Sequence, residues 1–406
     1  MGTLAAALAM QIPIVRPCLG EAEVEAVSRV IRSGWVAQGP EVAALEGELA
    51  QTVGAAHAVA VSNCTAALEL SLRTLGVGPG DDVVTVSHSF IATANAVVAV
   101  GARPVFVDID PRTFGMDPAR IEAALTRTTK AIVAVHQLGF PCALPAILDL
   151  ANRQGLPVIE DAACAIGSEI QIGGAWQRIG RPHGKVACFS FHPRKVITTG
   201  DGGLITTNDE ALAARLRRLR QHAMSVPNTT RHDSPRVVFE SFAEPGYNFR
   251  MTDLQAALAR PQLARLDQII RTRRTLAERY RIELDGDPTF ETPHEQPWMR
   301  ANFQSYPLRL RAGARLSQVE IMQQLLDRGV ASRRGVGNAH SEPAYAQTPW
   351  TCGPTPCDER LHREGKCLRL SCSEAAREET VMIPLFHGMT DDEQAYVLST
   401  LKALKP

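Results

Sequence analysis

The stretch from Ala187 to Gly203, A-C-F-S-F-H-P-R-K-V-I-T-T-G-D-G-G, sets a lysine in unusual surroundings. Lys195 lies between two apolar segments, Cys188–Phe191 and Val196-Ile197. Gly200, Gly202 and Gly203 follow and permit tight backbone turns. Most lysines sit on solvated faces. One drawn partly out of water loses preference for its charged form and becomes a usable amine nucleophile.

Three further groups follow apolar runs of the same kind. Asp161 closes the run Pro157-Val158-Ile159, and a carboxylate buried there needs a partner. Asn63-Cys64-Thr65-Ala66 follows His57–Ser62 at the start of a helical pattern, where hydroxyls and free N–H groups suit an anion or simply cap the helix. Phe90, in Ser87-His88-Ser89-Phe90 after Asp82–Val86, can lie over a flat ligand or pack in the core. Ser190 supplies another hydroxyl just before Lys195. A lysine, an anion site, a ring stacker and an isolated carboxylate are together the groups that pyridoxal phosphate requires. The lysine holds its aldehyde, the carboxylate keeps the pyridine nitrogen protonated, and the helix end takes the phosphate.

The elements that must position these groups alternate regularly. Short apolar runs at 57–62, 82–86, 104–107, 131–135 and 157–159 each precede a loop, and the first four lead into helical patterns at 66–75, 91–100, 118–125 and 144–154. Further strands are expected at 185–190 and 204–207. Strands alternating with helices imply parallel crossovers and an α/β sheet covered on both faces, with ligands at the strands' carboxyl ends. Glu21–Arg32 reads as a helix with Val24, Val27 and Ile31 on one face, and a second helix runs from Glu41 to Val53. A long helical region extends from Thr252 to about Glu283, with a kink or a helix start expected at Pro261. From about Pro288 the texture changes. Strands are expected at 304–310 and 330–333, and helices at 316–328 and 391–401, as in a smaller α+β domain. The expected division is therefore a large α/β domain over residues 13–260, then a long connecting helix and a small domain over 261–406.

The 406 residues carry 43 Lys+Arg and 43 Asp+Glu, so no basic excess exists to hold a nucleic acid or a membrane surface. The arginines of 215–220 alternate with leucine at helical spacing and read as a solvated face. Residues 1–10 are apolar but lack a positive start, and there is no run long enough to span a bilayer, so the cytosol is the expected compartment. Nine cysteines do not look like a disulfide framework. Cys352, Cys357, Cys367 and Cys372 lack the C-x2-C pairs of common zinc sites, so no metal is expected.

The chain resembles the pyridoxal-phosphate sugar aminotransferases of the DegT/StrS group, with the type I aminotransferase fold, from about Pro13 to Leu401. The resemblance rests on S-G-W-V-A-Q-G-P (33–40), S-N-C-T-A-A-L (62–68), S-F-I-A-T-A-N-A (89–96), I-E-D-A-A-C-A-I-G (159–167), F-S-F-H-P-R-K (189–195), T-T-G-D-G-G (198–203) and G-Y-N-F-R-M-T-D (246–253). It implies that Lys195 is the Schiff-base lysine and Asp161 the partner of the pyridine nitrogen. Cys64, Thr65 and Ser190 would be phosphate ligands and Phe90 the ring stacker. Asn248 would reach the phosphate of a neighbouring subunit in a homodimer with shared active sites. His340 would lie near the acceptor sugar, whose pocket should draw on loops near Trp35, His136, Phe140, 176–183 and 333–345. An amino donor, L-glutamate by resemblance, and a keto-sugar acceptor, most often nucleotide-linked, would be the substrates. Two positions depart from the pattern. Cys164 stands where many relatives carry a glutamine that bonds the cofactor's ring hydroxyl, and Ala143 stands where an acidic residue is common. Lys195 argues against the branch that has histidine there and dehydrates sugars. Another pyridoxal-phosphate reaction on a non-sugar ketone, or a non-catalytic regulator on the same fold, remain the alternatives.

Overall fold

A computed structural model of the chain describes residues 10–226, 234–355 and 357–405. Most of the apolar N-terminal stretch, residues 1–9, therefore lies outside the described residues. The strands are β1 (His57–Val61), β2 (Asp82–Val86), β3 (Arg103–Val107), β4 (Thr129–Val135), β5 (Val158–Asp161), β6 (Glu169–Ile172), β7 (Ala175–Arg178), β8 (Val186–Ser190) and β9 (Gly203–Thr207). After the helices Asp253–Ala264 and Leu266–Glu283 come β10 (Phe290–Glu291), β11 (Met299–Arg300), β12 (Tyr306–Leu310), β13 (Arg333–Arg334) and β14 (Thr380–Ile383).

A seven-stranded sheet in the order β1-β9-β8-β5-β4-β2-β3 forms the frame. Strands β8, β5, β4, β2 and β3 run parallel, and β9 is antiparallel to both of its neighbours. The continuous apolar runs follow from burial of both faces. In β1, Ala58 and Ala60 enter the core on one side, Val59 and Val61 the core on the other. This is the mixed α/β fold with a mostly parallel sheet that the alternation predicts. A second, antiparallel sheet, β10-β12-β14-β13, is built from the later part of the chain. A third, β11-β6-β7, includes a hairpin absent from the sequence reading. Its signal was Gly173-Gly174, both at positive φ (59° and 80°), as a tight hairpin turn requires.

Three expectations need correction. Pro261 sits inside the helix Asp253–Ala264, and the break comes at Arg265, where φ is −101° and ψ 10°. The boundary expected between residues 260 and 261 thus falls within one helix. The helix Glu21–Ser33 buries Glu23, Ala26 and Val30 against Ala257, leaving Val24 56% and Ile31 60% exposed. A buried Glu23 is tolerable because Arg265 pairs with it at 2.8 Å and the Gly20 N–H donates to it at 2.7 Å. Finally, Arg220 is not on a solvated face: it is buried and bonds Glu46 and the Ala60 carbonyl.

Candidate active site

The carboxyl ends of β1, β2, β4, β5 and β8 open into one cavity of about 1250 Å³. Its walls include Cys64, Thr65, Phe90, Asp161, Cys164, Ser190 and Lys195, brought together from four separate chain segments. Asn63 caps the helix Cys64–Thr74, its side chain accepting from the Ala66 N–H at 2.8 Å. Cys64 and Thr65 open that helix, where N–H groups lack intrahelical partners, and both residues line the cavity. Gly203 opens β9 directly beneath: a Cβ there would fall 2.4 Å from the Asn63 carbonyl carbon, so only glycine lets the strand approach the helix end so closely.

Asp161 is buried, and its carboxylate accepts from the Thr93 hydroxyl at 2.8 Å and from the Ala163 N–H at 3.2 Å. Ser89 in turn hydrogen-bonds Thr93 at 2.8 Å. The carboxylate has no ion-pair partner within salt-bridge distance among the described residues, so it is free to serve a bound cation. Lys195 leaves the end of β8 through a turn closed by its own N–H to the His192 carbonyl at 2.8 Å. Its side chain is partly exposed to the cavity while the amine itself is closely surrounded, 3.0 Å from the Cys164 sulfur. Burial pulls the amine's pKa down, but Cys164, foremost, and Asp161 outweigh it and leave it above the ordinary lysine value. Desolvation alone therefore does not set the charge of this lysine, contrary to the reading from its apolar flanks. Burial, then Asp161 and Cys188, push the Cys64 thiol well up, which keeps it neutral.

The other expected residues are placed differently. His136 borders the cavity, but its imidazole is fully buried: Nδ1 accepts from the Cys142 N–H at 3.2 Å and Nε2 faces Glu160 at 3.2 Å. It braces the β4–β5 end and has no nitrogen left for a substrate. His340 is likewise fully buried and is not on the cavity wall. Ser87 Oγ accepts from the His340 N–H at 3.1 Å and meets Nδ1 at 2.6 Å, and Nε2 faces Glu374 at 3.2 Å. Burial lowers the pKa of His340, and its two contacts with Ser87 tie it to the strand end that leads to Phe90. Trp35 is turned toward its own loop, Nε1 donating to the Gln38 carbonyl at 3.1 Å, and Phe140 packs edge-on against Phe303. Trp176 lies under Arg300 in the hairpin sheet, so the loops at 35 and 176–183 do not border the cavity of this chain, whereas the turn before Phe140 does, through Gln137 and Leu138. Asn248 is exposed beside Gln221, away from the cavity wall. Phe90 does border it, and is 66% exposed.

Two features escaped the sequence reading. Thr93, four residues after Ser89, completes a hydroxyl relay to Asp161, and that spacing was the available signal. Arg194, Arg333 and Arg334 collect on one side of the cavity. Burial and then the nearby Arg333 pull the Arg194 guanidinium below its ordinary range, so this side favours an anion.

Residues 17–402 match the DegT/DnrJ/EryC1/StrS aminotransferase family. The chain belongs to that family. It is 43% identical over 282 residues, 70% of its length and 71% of the relative's, to the spore coat polysaccharide biosynthesis protein SpsC of Bacillus subtilis (strain 168). Its fold superimposes on the aminotransferase TlmJ from Streptoalloteichus hindustanus with a TM-score of 0.83, at 33% identity, covering 97% of this chain and 98% of the other. It also matches Spr1654 from Streptococcus pneumoniae in its PLP-form, with a TM-score of 0.84 and 27% identity, over 97% and 98% of the two chains. The protein is thus a transaminase by family. No described helix is long and apolar enough to cross a membrane.

Proposed function

We propose that this aminotransferase uses pyridoxal phosphate to move an amino group from L-glutamate to a nucleotide-linked keto-sugar, working as a homodimer. The observation that carries the reading is the meeting of the Lys195 amine and the Asp161 carboxylate in one cavity headed by the helix Cys64–Thr74. The donor set fits the cofactor. Lys195 would carry it, Asp161 would stand by its ring nitrogen, and Phe90 would lie against the ring. The N–H groups of Cys64 and Thr65, with Ser190, would take the phosphate. Pyridoxal phosphate supplies an aldehyde that takes up amino groups and a ring that accepts the electron pair left when a C–H bond breaks.

The remaining work belongs to the chain. The Nζ of Lys195, once free, removes and returns the proton at the reacting carbon. Thr93 and the Ala163 N–H hold the Asp161 carboxylate in place. Arg194, Arg333 and Arg334 would bind the anionic parts of the donor and of a nucleotide diphosphate. The sugar class accords with the polysaccharide role named for the Bacillus relative. The homodimer accords with the exposed apolar side chains of Val237, Phe239 and Phe242, which lie in the stretch that leads to Asn248. Asn248, exposed here, would then meet the phosphate of the neighbouring subunit.

The test is the visible absorption of the purified protein with pyridoxal phosphate, before and after L-glutamate. A cofactor band that appears with the wild type, collapses on glutamate, and fails to form in Lys195→Ala is the expected result. A band that survives Lys195→Ala with transamination intact would overturn the assignment of the site.

A further inference from the structure

Outside the cavity, one cluster of side chains has no part in the proposed chemistry. Cys352, Cys357, His362 and Cys367 place their ligand atoms all within 4.8 Å of one another. Cys357 Sγ is 3.4 Å from Cys367 Sγ and 3.3 Å from His362 Nε2, which is 3.7 Å from Cys352 Sγ. A tetrahedral zinc with bonds of about 2.3 Å to sulfur and about 2.1 Å to nitrogen separates neighbouring ligands by roughly 3.6–3.8 Å. The observed spacings are those of such a site slightly contracted. They are far from the roughly 2.0 Å of bonded sulfurs. We propose that these four residues form a structural zinc site.

The local architecture supports it. The ligands follow the pattern C-x4-C-x4-H-x4-C, so the expectation of no metal, drawn from the missing C-x2-C pairs, is corrected. Cys372, which the cysteine spacing had grouped with the others, is excluded. Its N–H and that of Ser373 bond the Asp108 carboxylate at 2.9 and 2.8 Å, which draws that segment to the end of β3. His362 takes its place because the short helix Glu359–Arg363, capped by Asp358, turns its imidazole inward, where it stacks on Trp350 at 4.1 Å. Cys352 and Cys367 are buried, with Cys352 neighbouring the Arg369 guanidinium at 4.0 Å. Four protein donors leave no open position, which marks a structural and not a catalytic metal.

The site also has something to hold together. Among the described residues of 338–370 the regular elements are short helical turns, and the small apolar cluster that holds them includes Cys352 and Cys367 themselves. Yet Thr351 must lie along the outer edge of the main sheet, its carbonyl accepting from the Phe106 N–H at 2.8 Å and its N–H donating to the Pro104 carbonyl at 3.1 Å. It thereby covers the edge strand β3. From the other side of the cluster, the Cys367 N–H donates to Glu374 at 2.7 Å, and Glu374 faces His340, which bonds Ser87. A zinc ion clasping this loop would fix both the sheet edge and the strand end leading to Phe90, because metal binding in such a loop is folding free energy.

The test is metal analysis of the full-length protein purified under reducing conditions from zinc-supplied culture. The expected result is about one zinc per chain, replaceable by cobalt with the visible spectrum of a tetrahedral thiolate site. His362→Ala and Cys367→Ser should each fall below about a tenth of that content, while Cys372→Ser keeps it. Far-ultraviolet circular dichroism separates loss of the metal from loss of the fold. The proposal is overturned if the wild type carries under about a tenth of an equivalent and gives no cobalt spectrum. It is overturned equally if the metal is stoichiometric iron, if zinc persists in both ligand variants, or if peptide mapping finds Cys357 and Cys367 joined as a disulfide.

Discussion

Thr93→Val isolates the relay that holds Asp161. The threonine is buried, donates to the carboxylate at 2.8 Å, and is itself bonded to Ser89 at 2.8 Å. Valine keeps the bulk and removes the hydroxyl. A hydrogen bond to a charged group contributes about 1.5–3 kcal/mol. At about 1.4 kcal/mol per factor of ten, its loss corresponds to roughly 10- to 150-fold. Asp161 retains only the longer Ala163 N–H bond, at 3.2 Å, and is too buried for bulk water to substitute fully. The loss should therefore appear in the single-turnover rate of the reaction with L-glutamate, measured by stopped-flow absorbance, or in cofactor affinity. Ser89→Ala removes only a neutral bond at one remove, worth about 0.5–1.5 kcal/mol, and should cost no more than about tenfold. If Thr93→Val leaves both rate and affinity within about twofold of the wild type, with the thermal midpoint unchanged, Asp161 is not the group that the reacting ring depends on.

Cys164→Ala probes the amine directly. Lys195 has its pKa raised, with burial opposing and Cys164 foremost among the groups that raise it. Removing the thiol should lower that pKa, so the cofactor-free protein should capture added pyridoxal phosphate with a pH midpoint below that of the wild type. A midpoint that stays or rises would contradict the assignment. The sign for stability runs the same way: a raised lysine stabilises the fold below its ordinary pKa, and that contribution fades as pH climbs through the folded-state value, so the variant should lose less at high pH. Arg220→Ala tests the buried pair with Glu46, which also accepts the Ala60 N–H at 2.8 Å and would be left in a site with its side chain only 11% exposed. Stranding that carboxylate should cost about 3–5 kcal/mol in urea unfolding, and a loss under about 1 kcal/mol would mean that Arg217, 3.7 Å away, replaces the partner.

The main sheet was legible in the sequence because its strands are buried on both faces and so read as unbroken apolar runs, each stopped by a loop. The same rule located Lys195, Asp161, Cys64, Thr65, Phe90 and Ser190, since a group just past such a run lies at a strand's carboxyl end. Local spacing also carried the long helices, whose ends bear capping residues such as Thr252 and Ser317. What spacing could not carry was which distant segments meet. The burial of His136 and His340 depends on Glu160, Cys142, Ser87 and Glu374, which the order of the strands and the docking of the helix Ser371–Glu379 bring together. The inward face of the helix Glu21–Ser33 was set by the packing of Ala26 and Val30 on Ala257 and by Arg265 reaching Glu23, more than 200 residues along the chain, and not by Val24 and Ile31. The substitution of His362 for Cys372 in the cysteine cluster has the same origin. Asp108 at the end of β3 claims the Cys372 segment, and Trp350 stacks on the imidazole that replaces it. Periodicity is a property of neighbouring residues and survives in the sequence. Partnership across the sheet is decided by strand order and helix docking, which exist only once the chain has folded.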